Sequence, residues 1–231
     1  MTELVVIRHA EAHCNVRGTI GGPRTCTGLT DLGRRQADLL ADRLHRQFAG
    51  QATVVYSSPR RRTAETAEPV AERLGKPLVT IDELRDPDYG DNADGRLWKE
   101  VLDEARATGR TSDPSLPLAV GGEPWTEYVT RTERLLHKIT DQHPAEVLLL
   151  VGHAETVEAI HQVLIGLPTD SRPTARLEVA NTSLTQWRIT PHRRTLIAHN
   201  DHHHLTCAAP HQPKAIVGRS SVRPGKSSLT G

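Results

Sequence analysis

Val147-Leu148-Leu149-Leu150-Val151-Gly152-His153 is a run of five apolar residues that leads through a glycine to a histidine. Leu4-Val5-Val6-Ile7-Arg8-His9 repeats the arrangement near the start of the chain. An unbroken apolar run of this length, with no alternation, reads as a strand buried on both faces of a parallel sheet. Thr53-Val54-Val55-Tyr56 gives a second such strand, followed by Ser57-Ser58-Pro59, and Pro77 to Ile81 gives a third. Helical periodicity fills the gaps: Leu32, Leu39, Leu40 and Leu44 after a capping Thr30, a helix from about Arg60, one over Leu97 to Ala107, one over Trp125 to His143, and one from Ala154 to Ile165 that Gly166 and Pro168 stop. Two weaker strands follow at Ser183 to Ile189 and Thr195 to Ala198. Strands alternating with helices predict a three-layer α/β/α fold around a mainly parallel sheet. Ligands in such folds bind at the C-terminal ends of the strands. Arg8-His9, the Ser57-Ser58 segment with the basic residues after it, and Gly152-His153 are thereby expected at one pocket.

The composition excludes several classes. Lys and Arg number 29 against 28 Asp and Glu, so the net charge of +1 argues against a nucleic-acid binder. Aromatics at 3% leave little for a base-stacking platform. No apolar run approaches the ~20 residues that span a bilayer, and the N-terminus reads as a strand rather than a leader. Three cysteines at irregular spacing, Cys14, Cys26 and Cys207, form no disulfide framework or zinc ribbon. The expected compartment is the reducing cytoplasm. One catalytic domain is expected over residues 1–207, with residues 82–124 as an inserted lid or substrate segment. Residues 208–231, rich in Pro, Ser, Lys, Arg and Gly, are expected to be a disordered tail.

Two histidines and several arginines at one pocket suit a multiply charged oxyanion. Guanidinium forks hold phosphate oxygens in pairs. A neutral imidazole can attack phosphorus and carry the phosphoryl group, and nearby arginines favour that neutral form. A second histidine can donate to oxygens on which charge builds. A carboxylic acid is then needed to protonate the leaving oxygen and later to activate water.

Several segments carry a resemblance. Arg8-His9-Ala10-Glu11, Asn15, Gly28-Leu29-Thr30, Gly33 and Gln36-Ala37 resemble the opening signature of the histidine phosphatase superfamily, the phosphoglycerate-mutase-like fold. Ser57-Ser58-Pro59-Arg60-Arg61-Arg62-Thr63-Ala64-Glu65-Thr66-Ala67 is similar to its second motif, Leu84-Arg85-Asp86-Pro87-Asp88-Tyr89-Gly90 to its acid-bearing motif, and Val151-Gly152-His153 to its last one. Asn181-Thr182-Ser183 and His204-Leu205 also look family-like, so the match runs over roughly residues 4 to 205. Four motifs in order are far more specific than any one.

The resemblance implies a metal-independent, cofactor-free phosphatase of a small-molecule phosphomonoester. His9 is the implied nucleophile, Asp86 the acid, and Arg8, Arg62, His153 and Asn15 the phosphate-binding groups. Glu155, Thr27 and Gly28 are substrate-side candidates. A phosphoglycerate mutase is the alternative, and a non-catalytic phospho-ligand module a third. The expected partner is the substrate, with no nucleic acid and no membrane; a homodimer is left open.

Two positions depart from the family pattern: Ala10 where a glycine usually follows the nucleophile, and Asp86 where glutamate is usual. Arg60 and Arg61 read as solvated helix charges. Within His199 to His204, His202 and His204 would share one face of a strand, but a polar strand end is preferred to a metal site. Cys14 and Cys26 read as ordinary loop thiols.

Overall fold

The chain spends its most apolar segments on the middle of one sheet. In the computed structural model, which describes residues 1–173 and 175–206, β1 (Thr2–Arg8) lies parallel to β4 (Val147–Gly152), with Leu4 opposite Leu148 and Arg8 opposite Gly152. On its far side β4 pairs in parallel with β2 (Ala52–Ser57), which pairs in parallel with the short β3 (Leu78–Thr80). On the other side of β1 the sheet ends in two antiparallel strands, β5 (Leu184–Ile189) and β6 (Arg194–Asp201). The six-strand order is β3-β2-β4-β1-β5-β6. The apolar runs occupy the centre because those strands have both faces covered.

The helices form the outer layers. On one face α2 (Asp31–Phe48) and α3 (Arg61–Leu74) pack Leu40, Leu44, Val70 and Leu74 against Val5, Ile7, Val55 and Leu149. On the other, α5 (Trp125–Gln142) and α6 (Ala154–Leu164) pack Val129, Leu136, Ile139 and Ile160 against Leu4, Val6, Leu148 and Leu150. Odd and even positions of β1 thus serve opposite layers, as strand geometry requires. Shorter helices α1 (His13–Arg17) and α4 (Trp98–Ala107) and a 3-10 turn at Asp82–Leu84 lie over the C-terminal edge. A last short helix, α7 (His203–Thr206), follows β6.

Thr30 caps α2 as expected, accepting from Gly33 N at 2.9 Å. Gly33 is required by contact: a Cβ there would lie 2.0 Å from the carbonyl oxygen of Glu11. The weak last strand is longer than its sequence pattern, because an edge strand needs no apolar run and, past an irregularity, Asp201 still pairs with Leu184 of β5. His202 and His204 do not share a strand face, since β6 stops at Asp201. His204 instead packs with Arg43 and Thr182, and His202 with Asn200 O. The expected tail and Cys207 lie outside the described residues.

Candidate active site

Four sheet and helix ends meet above β1, β4 and β2. His9 leaves the end of β1, and its amide donates to Gly152 O at 2.9 Å, continuing the β1–β4 register by one step. His153 follows β4 and is the N-cap of α6. The two rings lie edge to face with centroids 5.5 Å apart. Arg62 sits in the first turn of α3 and reaches between them. Asp86 follows the 3-10 turn. A polar bowl of about 80 Å³ opens among these groups, lined also by Arg8, Asn15 and Cys14.

The hydrogen bonds assign the tautomers. His9 Nδ1 lies 2.7 Å from Ala10 O, which can only accept, so Nδ1 carries the proton. Its Nε2 is then a lone pair, and it accepts from Arg62 Nε at 3.2 Å. His153 Nδ1 accepts from Arg62 Nη2 at 3.1 Å, so its Nε2–H donates to Ser58 Oγ at 2.9 Å. Burial, with Arg62, His153 and Arg8 close by, holds the His9 imidazole well below its usual range. The same burial and arginines lower His153 to about 3, against an opposing pull from Asp86. Both rings are neutral near pH 7. His9 therefore presents an uncharged nucleophilic nitrogen to a site whose fixed charges are guanidinium ions.

Arg62 is committed on every side. Its five N–H donors meet His9 Nε2, Gly21 O at 2.6 Å, Cys26 Sγ at 3.4 Å, Asp86 Oδ2 at 2.5 Å and His153 Nδ1 at 3.1 Å. Arg8 is different: Nη1 donates to Val179 O at 2.5 Å, but Nε is buried with no partner among the described residues. A buried unpaired donor in the wall of a cationic bowl suits an anion. Asn15 uses Oδ1 to cap the amide of Ala12 at 2.9 Å, and the residue still lines the bowl.

Asp86 is buried between two guanidinium groups, accepting from Arg60 Nε at 2.7 Å and from Arg62. Burial pushes its carboxyl up, but His153 when charged, Arg62 and Arg60 outweigh burial and hold it well below the carboxylate range. Arg60 is thus no solvated charge. Its side chain is 11% exposed and reaches back over the start of α3 to the Asp86 carboxylate. Arg61, 64% exposed and paired with Glu65, does behave as expected. Nothing in the spacing of three consecutive arginines separates these fates. Ser58 and Tyr89 stand in quoted motifs, and the structure adds them to the site as partners of His153 and Glu155.

Glu155 lines the bowl, but Thr27 and Gly28 do not. Thr27 is exposed and accepts from Arg17 at 3.1 Å. Gly28 has φ +92 and lies under Glu65, whose carboxylate accepts from Leu29 N at 2.7 Å. This end of the loop packs onto α3, while Thr19, Ile20 and Gly21 earlier in it line the bowl. Ala10 is accommodated because its φ is negative and its methyl group packs with Ala12, Leu29 and Ala37, while its amide donates to Thr66 at 3.0 Å.

The family model described as histidine phosphatase superfamily (branch 1) matches residues 4–202. The chain belongs to the histidine phosphatase superfamily. Among curated relatives of this histidine phosphatase, phosphoglycerate mutase-like protein 4 of Arabidopsis thaliana is 30% identical over 81% of this chain and 79% of its own length. Glucosyl-3-phosphoglycerate phosphatase of Mycolicibacterium vanbaalenii is 30% identical over 74% of this chain and 77% of its own. A phosphoserine phosphatase of Entamoeba histolytica, solved with phosphoserine, shares the fold with TM-score 0.75 at 22% identity, over 89% of this chain and all of its own. Among the described residues no helix is long and apolar enough to cross a membrane.

Proposed function

We propose that this chain is a metal-independent phosphomonoester phosphatase working through a phosphohistidine on His9. The observation that carries the reading is the His9 ring itself: neutral, with Nδ1–H fixed on a carbonyl and the Nε2 lone pair turned to Arg62 inside a cationic bowl. Relatives named for metal-independent phosphoserine phosphatase and glucosyl-3-phosphoglycerate phosphatase activities support the same class.

The substrate phosphate takes donors from Arg62, Arg8 and Asn15. Nε2 of His9 attacks phosphorus as the P–O bond to the leaving alcohol breaks. The two guanidinium groups hold the equatorial oxygens while charge moves, and His153 joins them in its other tautomer, with Nδ1–H turned to the phosphate once Arg62 is drawn off it and the Ser58 hydroxyl donating to Nε2. Phosphate draws Arg62 away from Asp86, so one of the two cations that keep Asp86 ionised is redirected. Its carboxyl rises toward the range in which it can protonate the leaving oxygen, and the resulting carboxylate then takes a proton from attacking water. Phosphate leaves and Nε2 regains its lone pair.

The bowl opens directly onto a cleft of about 1260 Å³. That access for water favours hydrolysis over transfer to a second hydroxyl. The reading treats residues 1–207 as one catalytic domain. It gives residues 82–124 the role of substrate segment, since they supply Asp86, Tyr89, Trp98 and Leu102 to bowl and cleft. All catalytic groups come from one chain, so a second copy is not needed for the chemistry. Free thiols at Cys14 and Cys26 fit a reducing cytoplasm.

The test is phosphate release from a phosphomonoester panel in EDTA, wild type against His9→Ala. Wild type should release phosphate, and His9→Ala should lose at least about 10³-fold in rate. Trapped protein should carry acid-labile phosphate on His9. Release that survives His9→Ala would sink the mechanism.

A further inference from the structure

The chemistry above leaves one carboxylate unused. Glu155 stands in the first turn of α6, two residues beyond His153, and lines both the bowl and the cleft beside it. Its Oε1 accepts from the Tyr89 hydroxyl at 3.3 Å, and the Tyr89 ring is braced edge to face on Trp98 at 4.8 Å. Burial and Glu155 push the Tyr89 phenol well above its usual value, so it remains a donor. The carboxylate is therefore aimed. Among the described residues it forms no ion pair. Its cationic neighbour Arg8 has Nη1 committed to Val179 O.

The same face of α6 continues into the cleft with further acceptors. Glu158 is one turn on, and burial and Glu155 raise its carboxyl to about 7 against the pull of Arg176 and Arg172. His161, 7% exposed, donates Nδ1–H to Val157 O, which leaves Nε2, in the cleft wall, a buried acceptor with no partner among the described residues. Trp98, Leu102, Leu116 and Trp125 make much of the rest of the wall apolar.

A carboxylate at the rim of a phosphate site selects for what accompanies the phosphate. It repels a second carboxylate and attracts a cation. We propose that Glu155 is the specificity-determining residue of this site, and that it takes the ammonium group of a phosphorylated amino alcohol whose ester phosphate sits in the bowl. The proposal rests on the phosphatase reading, with the cleft holding the remainder of the leaving alcohol.

Three probes of matched length separate the alternatives: phosphoethanolamine, 2-hydroxyethyl phosphate and phosphoglycolate, which place an ammonium, a hydroxyl and a carboxylate at similar reach from the ester oxygen. Binding is measured by calorimetry on His9→Ala protein, which cannot turn them over, and on the His9→Ala, Glu155→Gln double variant. With Glu155 present, phosphoethanolamine should bind about tenfold or more tighter than 2-hydroxyethyl phosphate, the scale of one charge-assisted hydrogen bond, and phosphoglycolate weakest. Glu155→Gln should flatten the series and improve phosphoglycolate. Equal affinity for the ammonium and hydroxyl probes, or a preference that persists in Glu155→Gln, would overturn the proposal. Hydrolysis of p-nitrophenyl phosphate by wild type, which carries no ammonium, reports on the phosphatase reading separately.

Discussion

Arg62 has no donor to spare, so phosphate can enter only by exchange. Every oxygen that reaches this guanidinium displaces a bond to His9, His153, Asp86, Cys26 or a carbonyl. The group must keep both its charge and its planar fork. Lysine supplies charge but three donors on one point. Arg62→Lys should therefore lower kcat/KM by about 100-fold or more, read from steady-state kinetics on a protein whose circular dichroism is unchanged. Asp86 gives a second test at this scale. If it protonates the leaving oxygen, Asp86→Asn should cost about 10²–10⁴-fold on an alkyl phosphate and far less on p-nitrophenyl phosphate, whose leaving group needs no proton. Equal losses on both would remove Asp86 from that role. The meeting of His9, His153 and Arg62 at one bowl was legible in the sequence because each is tied to a strand end or a helix start. The part of Arg60 was not, because it depends on which way one side chain turns across space to Asp86.

Elements place these residues, and one close approach holds two of them in position. Gly33 lets α2 press onto the Glu11 carbonyl, in the segment that follows His9. Gly33→Ala must push helix and segment apart. We expect about 1–3 kcal/mol of destabilisation, and a fall in Tm of about 3–10 °C by calorimetry, with activity reduced as the segment shifts. The apolar strands were legible because burial on both faces leaves an unbroken run. Residues 167–173 and 175–181, which form much of the cleft wall through Leu167, Arg172, Arg176, Leu177 and Val179, were not legible. They have neither helical nor strand periodicity, and only tertiary packing brings them beside α6.

At the scale of the whole molecule, buried titratable groups set the response to acid. Burial is the first cause lowering His9, His153 (to about 3), His161 and His204 (to about 4), all from an ordinary value of 6.5. A depressed histidine binds its proton in the unfolded chain first, so its stabilising contribution is full above about 6.5 and drains as pH falls toward the folded value. Glu158, raised to about 7, has the opposite sign, its contribution fading as pH climbs from its ordinary 4.5. Four groups oppose one. Tm should fall as pH drops from 7 to 4.5, and His204→Gln, outside the bowl, should flatten that slope. A Tm that rises over this interval would contradict the assignment of these rings as neutral.

The two histidines of the bowl follow neighbouring parallel strands at the same step of the ladder, Arg8 opposite Gly152 and His9 N on Gly152 O. Their separation is thus a repeat distance of the backbone lattice, owed to no loop. Loops over the cleft are free to lengthen, shorten or change composition while the reactive pair keeps its spacing. What those loops touch can thus be exchanged for new alcohols without moving the two rings, whereas Glu155, two residues beyond His153 on α6, ties its own contact to the reacting end of the site.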